Sequence, residues 1–186
     1  MFGHKDKILS ASYSLDGNYI ISTSKDNTIK IWNSQSRKCC ITLRRKAYLG
    51  LFIPNMKHVI YANYNHSIVI YNYEKSKNYM VLKGHNDIIS SIEFDSDGKY
   101  LVSASTDATV RVWDYYSGRC VCINKFSDIP VKYAAFIENG DILVLLYNNT
   151  IKIWTPAELN KLIKDTRKVF RNRHFNKEEV KKYYLE

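Results

Sequence analysis

The chain has 186 residues, 45% hydrophobic and 25% charged, with a formal net charge of +10. That composition, with 15 tyrosines, is ordinary for a soluble globular protein and argues against a disordered chain. The N-terminal stretch MFGHKDKILSASYS lacks the apolar run of a secretory signal, and no stretch approaches the roughly 18 apolar residues of a membrane-spanning helix.

In chain order, Lys7–Tyr13, Tyr19–Ser24, Thr28–Trp32 and Lys38–Leu43 read as short strands, with turns at Asp16-Gly17 and Asp26-Asn27. Alternating β-branched residues such as Ile29 and Ile31 mark half-buried strands, and four of them in sequence predict an antiparallel meander. A second unit, 44–83, keeps strand character at Val59–Asn63 and Ser67–Tyr71, with Pro54-Asn55 where the Asp-Gly turn stood. The third unit, 84–125, repeats the first: Ile88–Phe94, Tyr100–Ser105, Thr109–Trp113 and Arg119–Asn124. A fourth, from about residue 126, offers Val131–Ile137, Ile142–Leu146 and Thr150–Trp154, turning at Asn139-Gly140 and Asn148-Asn149. A fourth strand is then due. Instead Thr155-Pro156-Ala157-Glu158 reads as a capping box opening a helix, and a second helix start lies at Asn176. A helical tail over 155–186 is therefore expected. From Lys161 it carries nine Lys and Arg against four Asp and Glu.

The first and third units share a frame. His4 precedes Asp26 by 22 residues and Trp32 by 28, and His85 precedes Asp107 and Trp113 by the same intervals. Such self-similarity at about 40 residues marks a repeat architecture in which each small sheet must stack on its neighbours. The polar residues at fixed spacing predict a buried network: the indole N–H of Trp113, a hydroxyl from Ser103 or Ser105, His85 and Asp107. Trp32, Ser22 or Ser24, His4 and Asp26 offer the same set. A Ser-His-Asp constellation invites a catalytic reading. It is set aside because it occurs twice at identical spacing, with the serines inside strands, and because no nucleophile elbow, HExxH, P-loop or GxGxxG motif is present. The cysteines, Cys39, Cys40, Cys120 and Cys122, lack metal-ligand spacing and are expected to be buried, reduced thiols in a cytoplasmic setting. No metal or cofactor is expected.

The Gly-His, Asp, Trp-Asp pattern resembles the WD40-repeat family of β-propellers. The resemblance covers about 3–154, as repeats of about 3–43, 44–83, 84–125 and 126–154. It implies an all-β fold, a partial propeller of four antiparallel four-stranded blades with the last incomplete. It also implies structural-tetrad roles for His4, Asp26, Trp32, His85, Ser103, Asp107 and Trp113. In repeats two and four, Asn65 and Asn148 replace the aspartate and the histidine is missing, so no tetrad is assigned. The tail is similar to the C-terminal end of bacterial WD40 signalling proteins. What the family implies is a non-catalytic scaffold for a protein or peptide partner, with a place at the sensory or regulatory end of a larger signalling protein as the finer expectation. Tyr115 and Tyr116, in the loop after Trp113, are candidate partner contacts, with packing on a neighbouring blade the alternative for both. A nucleic-acid module using Arg44, Arg45, Lys46 and the basic tail is the alternative. Four blades with neither end closed leave three solutions open: further N-terminal blades, a homodimer of eight blades, or a tail folded over the open edge.

Overall fold

The computed structural model describes residues 3–53, 58–137 and 140–157. Among these residues, fifteen strands form four sheets, each a simple meander whose neighbours in sequence are neighbours in space. Blade 1 holds β1 (Ile8–Tyr13), β2 (Tyr19–Ser24), β3 (Thr28–Asn33) and β4 (Cys39–Arg44). Blade 2 holds β5 (Ala47–Phe52), β6 (His58–Asn63), β7 (Ile68–Asn72) and β8 (Lys77–Leu82). Blade 3 holds β9 (Ile89–Phe94), β10 (Tyr100–Ser105), β11 (Thr109–Asp114) and β12 (Cys120–Lys125). Blade 4 has three strands among the described residues: β13 (Val131–Phe136), β14 (Ile142–Leu146) and β15 (Ile151–Trp154).

The expected helical tail lies outside the described residues from Glu158 onward, as do the turn residues Pro54-Asn55 and Asn139. The worn second repeat is a full four-stranded blade. Its first and last strands, β5 and β8, carry no Gly-His pair or Asp-Gly turn to announce them.

Turn chemistry is repeated with the strands. The turns after the first strand of blades 1, 3 and 4 use Gly17, Gly98 and Gly140, all at positive φ. The turns between second and third strands put Asn27, His66, Ala108 and Asn149 at φ of 57–66°, one per blade. That left-handed position closes a tight hairpin and favours Gly or Asn.

Each hydrophobic core lies between two blades rather than within one. Ile21, Ile29 and Ile31 of blade 1 pack on Val59, Tyr61, Val69 and Tyr71 of blade 2. The opposite face of blade 2, with Ile60, Ile68, Ile70 and Leu82, packs on Ile89, Ile92, Leu101 and Trp113 of blade 3. Val102, Val110 and Val112 of blade 3 then meet Val131, Ala134, Ile142 and Val144 of blade 4. Period-two alternation gives every blade one face for the preceding neighbour and one for the following neighbour. Hydrogen bonds between first strands stitch these interfaces. The Gly50 N–H donates to Ser10 Oγ at 3.1 Å, the Ile89 N–H to Tyr48 Oη at 2.8 Å, and the Ala134 N–H to Ser91 Oγ at 3.0 Å.

Candidate functional site

Residues single out two features: the polar network inside the blades and the loops at the two ends of the stack. In blade 3 the Trp113 indole N–H donates to Ser103 Oγ at 2.9 Å. Ser103 Oγ lies 2.7 Å from His85 Nε2, and His85 Nδ1 lies 3.0 Å from Asp107 Oδ2. Asp107 also accepts the Asn86 and Thr109 N–H groups, each at 2.9 Å, and the Thr109 hydroxyl at 2.6 Å. Blade 1 reproduces the line: Trp32 to Ser22 at 2.8 Å, Ser22 to His4 at 2.8 Å, and His4 to Asp26 at 2.9 Å.

Between the two candidate hydroxyls in each blade, the structure selects Ser22 and Ser103. Ser24 and Ser105 instead accept the Asp26 and Asp107 N–H groups and donate to the Asp6 and Asp87 carbonyls. Sequence reasoning missed Thr28 and Thr109. The signal was there, an Asp-x-Thr triplet in both repeats. The glycine of each Gly-His pair has a steric reason. A Cβ on Gly3 would stand 2.9 Å from the Trp32 ring, and one on Gly84 would stand 3.2 Å from the Trp113 ring.

Burial raises the Asp107 carboxyl, but the hydrogen bonds from His85, Thr109 and Asn86 outweigh it and hold the group well below the usual carboxylate range. Asp26 behaves alike, with burial opposed by Thr28, Lys5 and His4. Burial lowers the His85 imidazole, against the pull of Asp107, so the neutral ring bridges Ser103 and Asp107. The Ser–His–Asp distances are those of a hydrolytic triad, but Ser103 is 0% exposed and its oxygen receives the Trp113 indole. A substrate has no path to it.

Blades 2 and 4 solve the same turn differently. Asn63, not Asn65, is the acceptor in blade 2: its Oδ1 takes the Asn65 N–H, the Ser67 N–H and the Ser67 hydroxyl. Tyr71 sits at the tryptophan position, with the Arg45 guanidinium 5.9 Å from its ring centre. In blade 4, Asn148 Oδ1 accepts the Thr150 N–H at 3.1 Å. Val144 stands where Ser103 stood, so Trp154 has no hydroxyl at that position.

Two expectations need correction. Tyr115 is not an exposed contact residue. It is 2% exposed, wedged between blades 2 and 3, with its hydroxyl 3.3 Å from His58 Nδ1. Its neighbour Tyr116 is 47% exposed and packs edge-on against it. The cysteines are free, and only Cys122 is buried. Cys39 and Cys40 are exposed on β4, whereas Cys120 is half-buried on β12, whose Cys122 packs into the core between blades 3 and 4. No group of three or more metal-ligating side chains is found among the described residues. No helix among them is long and apolar enough to cross a membrane.

The two ends of the stack differ in charge. The meander brings the residues before each first strand, and the turns between second and third strands, to one end. That end carries Lys5, Lys7 and Lys25 on blade 1, Arg44, Arg45 and Lys46 between blades 1 and 2, and Lys83 and Lys125 beyond. Among the described residues these eight cations face five carboxylates, of which Asp26 and Asp107 are committed to the networks. At the other end, among the described residues, Arg37, Lys38, Lys75, Lys77, Lys99 and Arg119 are matched by Asp16, Glu74, Asp95, Asp97, Asp114 and Asp141.

The stacked meanders define an all-β propeller architecture. The "WD domain, G-beta repeat" family model matches residues 1–33 and 76–114, the two repeats with complete networks. The structure is similar to the WD40 beta propeller domain of Doa1, with a TM-score of 0.73 and 21% identity, over 85% of this chain and 54% of that one. The chain belongs to the WD40-repeat family. Among curated relatives it is 33% identical over 151 residues to the guanine nucleotide-binding protein subunit beta of Saccharomyces cerevisiae, covering 77% of this chain and 33% of that protein. It is 25% identical over 158 residues to eukaryotic translation initiation factor 3 subunit I of the same organism, covering 85% and 33%. It is 23% identical to mouse apoptotic protease-activating factor 1, covering 82% and 15%. The chain thus spans a third or less of the length of these relatives.

Proposed function

We propose that this chain is a non-catalytic protein-interaction platform that meets its partner with the basic end of the blade stack. WD40 propellers generally serve as interaction scaffolds, and two of the relatives are named as subunits. The observation that carries the reading is the charge asymmetry of the ends. Unbalanced cations at one end attract an acidic segment and speed its encounter, whereas the balanced end has no such preference. The WD40 family's general role as a protein-interaction scaffold favours an acidic protein segment over a nucleic-acid backbone as the partner of this end. The four free thiols fit a reducing, cytoplasmic setting, and a place within a signalling assembly is part of the same proposal.

The test is binding of a fluorescent poly-glutamate peptide at low salt. The triple change Arg44→Glu, Arg45→Glu, Lys46→Glu should weaken binding about tenfold or more, and added salt should do the same. Lys75→Glu with Lys77→Glu, at the balanced end, should leave it within about twofold. Equal losses for both variants would remove the basic end from the proposal. Tighter binding of random single-stranded DNA than of the peptide at equal salt would favour the nucleic-acid alternative.

A further inference from the structure

The turn between third and fourth strands is built the same way in three blades. The last residue of the third strand, Asn33, Asn72 or Asp114, turns its Oδ1 to the backbone N–H three residues on, at 2.7–2.8 Å. The residue paired with it across the sheet is Tyr19 in blade 1, Tyr100 in blade 3 and His58 in blade 2. Of these three blades, only blade 2 places an imidazole there. With its Oδ1 committed to the Lys75 N–H, the Asn72 amide offers the ring its Nδ2, 3.0 Å from His58 Nε2. An amide nitrogen donates, so Nε2 is the bare, accepting nitrogen and the ring proton sits on Nδ1. Nδ1 lies 3.3 Å from the hydroxyl oxygen of Tyr115, the buried residue of the β11–β12 loop in blade 3.

The neutral ring therefore carries a chain of hydrogen bonds from the Lys75 N–H of blade 2 to Tyr115 of blade 3. A second proton breaks it. That proton sits on Nε2 and faces the Asn72 amide donor, and turning the amide over only moves the conflict to the Lys75 N–H. We propose that His58 is a pH-operated clasp on the seam between blades 2 and 3: neutral, it holds the β7–β8 turn and the Tyr115 loop together, and protonated, it releases them at the balanced end of the stack. Among the described residues, the titratable and charged groups facing the ring are Glu74 and Lys75 in the β7–β8 turn, Tyr79 on β8, whose ring centre lies 4.8 Å away, and Tyr115. Burial holds the imidazole below its ordinary value, opposed by Glu74 and aided by Lys75, so the closed clasp prefers the neutral ring. What release uncovers is aromatic. Tyr79, Phe94 and Tyr116 surround the Tyr115 ring, with centres 5.3–6.2 Å from its own.

The experiment is hydrogen–deuterium exchange on the full 186-residue chain at about pH 7.5 and about pH 5, read as protection after correction for intrinsic exchange. On acidification, protection over 73–77 and 115–119 should fall about tenfold more than over β10, which carries Ser103 of the His85 network and so registers the loss due to His85. His58→Gln should abolish that excess. Asn72→Asp should reverse it. One carboxylate oxygen still takes the Lys75 N–H, as Asp114 takes that of Ser117, and the other accepts the Nε2–H of the charged ring. This variant keeps the turn, so it decides the matter even where His58→Gln does not fold. No excess loss in the wild-type chain, an excess that survives His58→Gln, or an Asn72→Asp chain that loosens in acid as the wild type does would overturn the proposal.

Discussion

Asp107 accepts four hydrogen bonds from three residues, and a substitution there leaves donors unpaired at a site where its own side chain is 7% exposed. Asp107→Ala should cost on the order of 1–3 kcal/mol in denaturant unfolding. Asn65→Ala should stay within about 0.5 kcal/mol, because the acceptor of that turn is Asn63. Equal losses at the two positions would contradict the assignment. The His85 imidazole is held below its ordinary value by burial, so the unfolded chain binds its proton first as pH falls. That stability is present above about pH 6.5 and is lost as pH drops toward the lowered folded value. Asp107, also lowered, loses its contribution only below the ordinary carboxylate range, so the two windows separate. Melting temperature should fall from about pH 7.5 to about pH 5, and His85→Gln should flatten the fall, leaving the part due to His58, which burial also lowers. An unchanged slope would contradict it. The network's members were legible because imidazole, indole and carboxylate are rare at fixed spacing. The choice of Ser103 over Ser105 was not, since both lie in one strand on the same face and only the bulge at Ala104/Ser105 separates their roles.

Strands with alternating β-branched residues, such as β3 and β11, could be placed from sequence to within a residue. β5 and β8 could not be placed as strands: AYLGLF is apolar almost throughout and KNYMVL runs from polar to apolar, so neither shows the alternation of a half-buried strand. Tertiary stacking orders them instead. Gly50 shows how. A Cβ there would stand 2.9 Å from Thr23 Cγ2 and 3.3 Å from Ile21 Cδ1, so a bare backbone lets blade 2 sit against blade 1. Gly50→Val should force the blades apart and cost about 1–3 kcal/mol, more than a valine placed at the open turn position Asn18. Unaltered stability for Gly50→Val would mean the blades are not in that contact. Tyr115 failed as a surface prediction for a related reason. The loop after Trp113 looks exposed in one dimension, but blade 2 lies over Tyr115 and leaves Tyr116, of the two tyrosines, in water.

Across the molecule, the repeated unit fixes where side chains can act. The cores sit between blades, the networks lock each turn to its own blade, and the variable chemistry is left to the ends. Net charge alone, +10, could not say which end would be basic. The meander decides that, by carrying every second turn to the same side. Hydrogen–deuterium exchange on the chain with and without the poly-glutamate peptide reads this arrangement directly. Protection should appear at Lys5–Lys7, Arg44–Lys46 and Lys83–Asp87 and be absent from Asp16–Asn18 and Tyr116–Arg119. Protection confined to the second set, or spread evenly over both ends, would contradict a platform that works through its basic end.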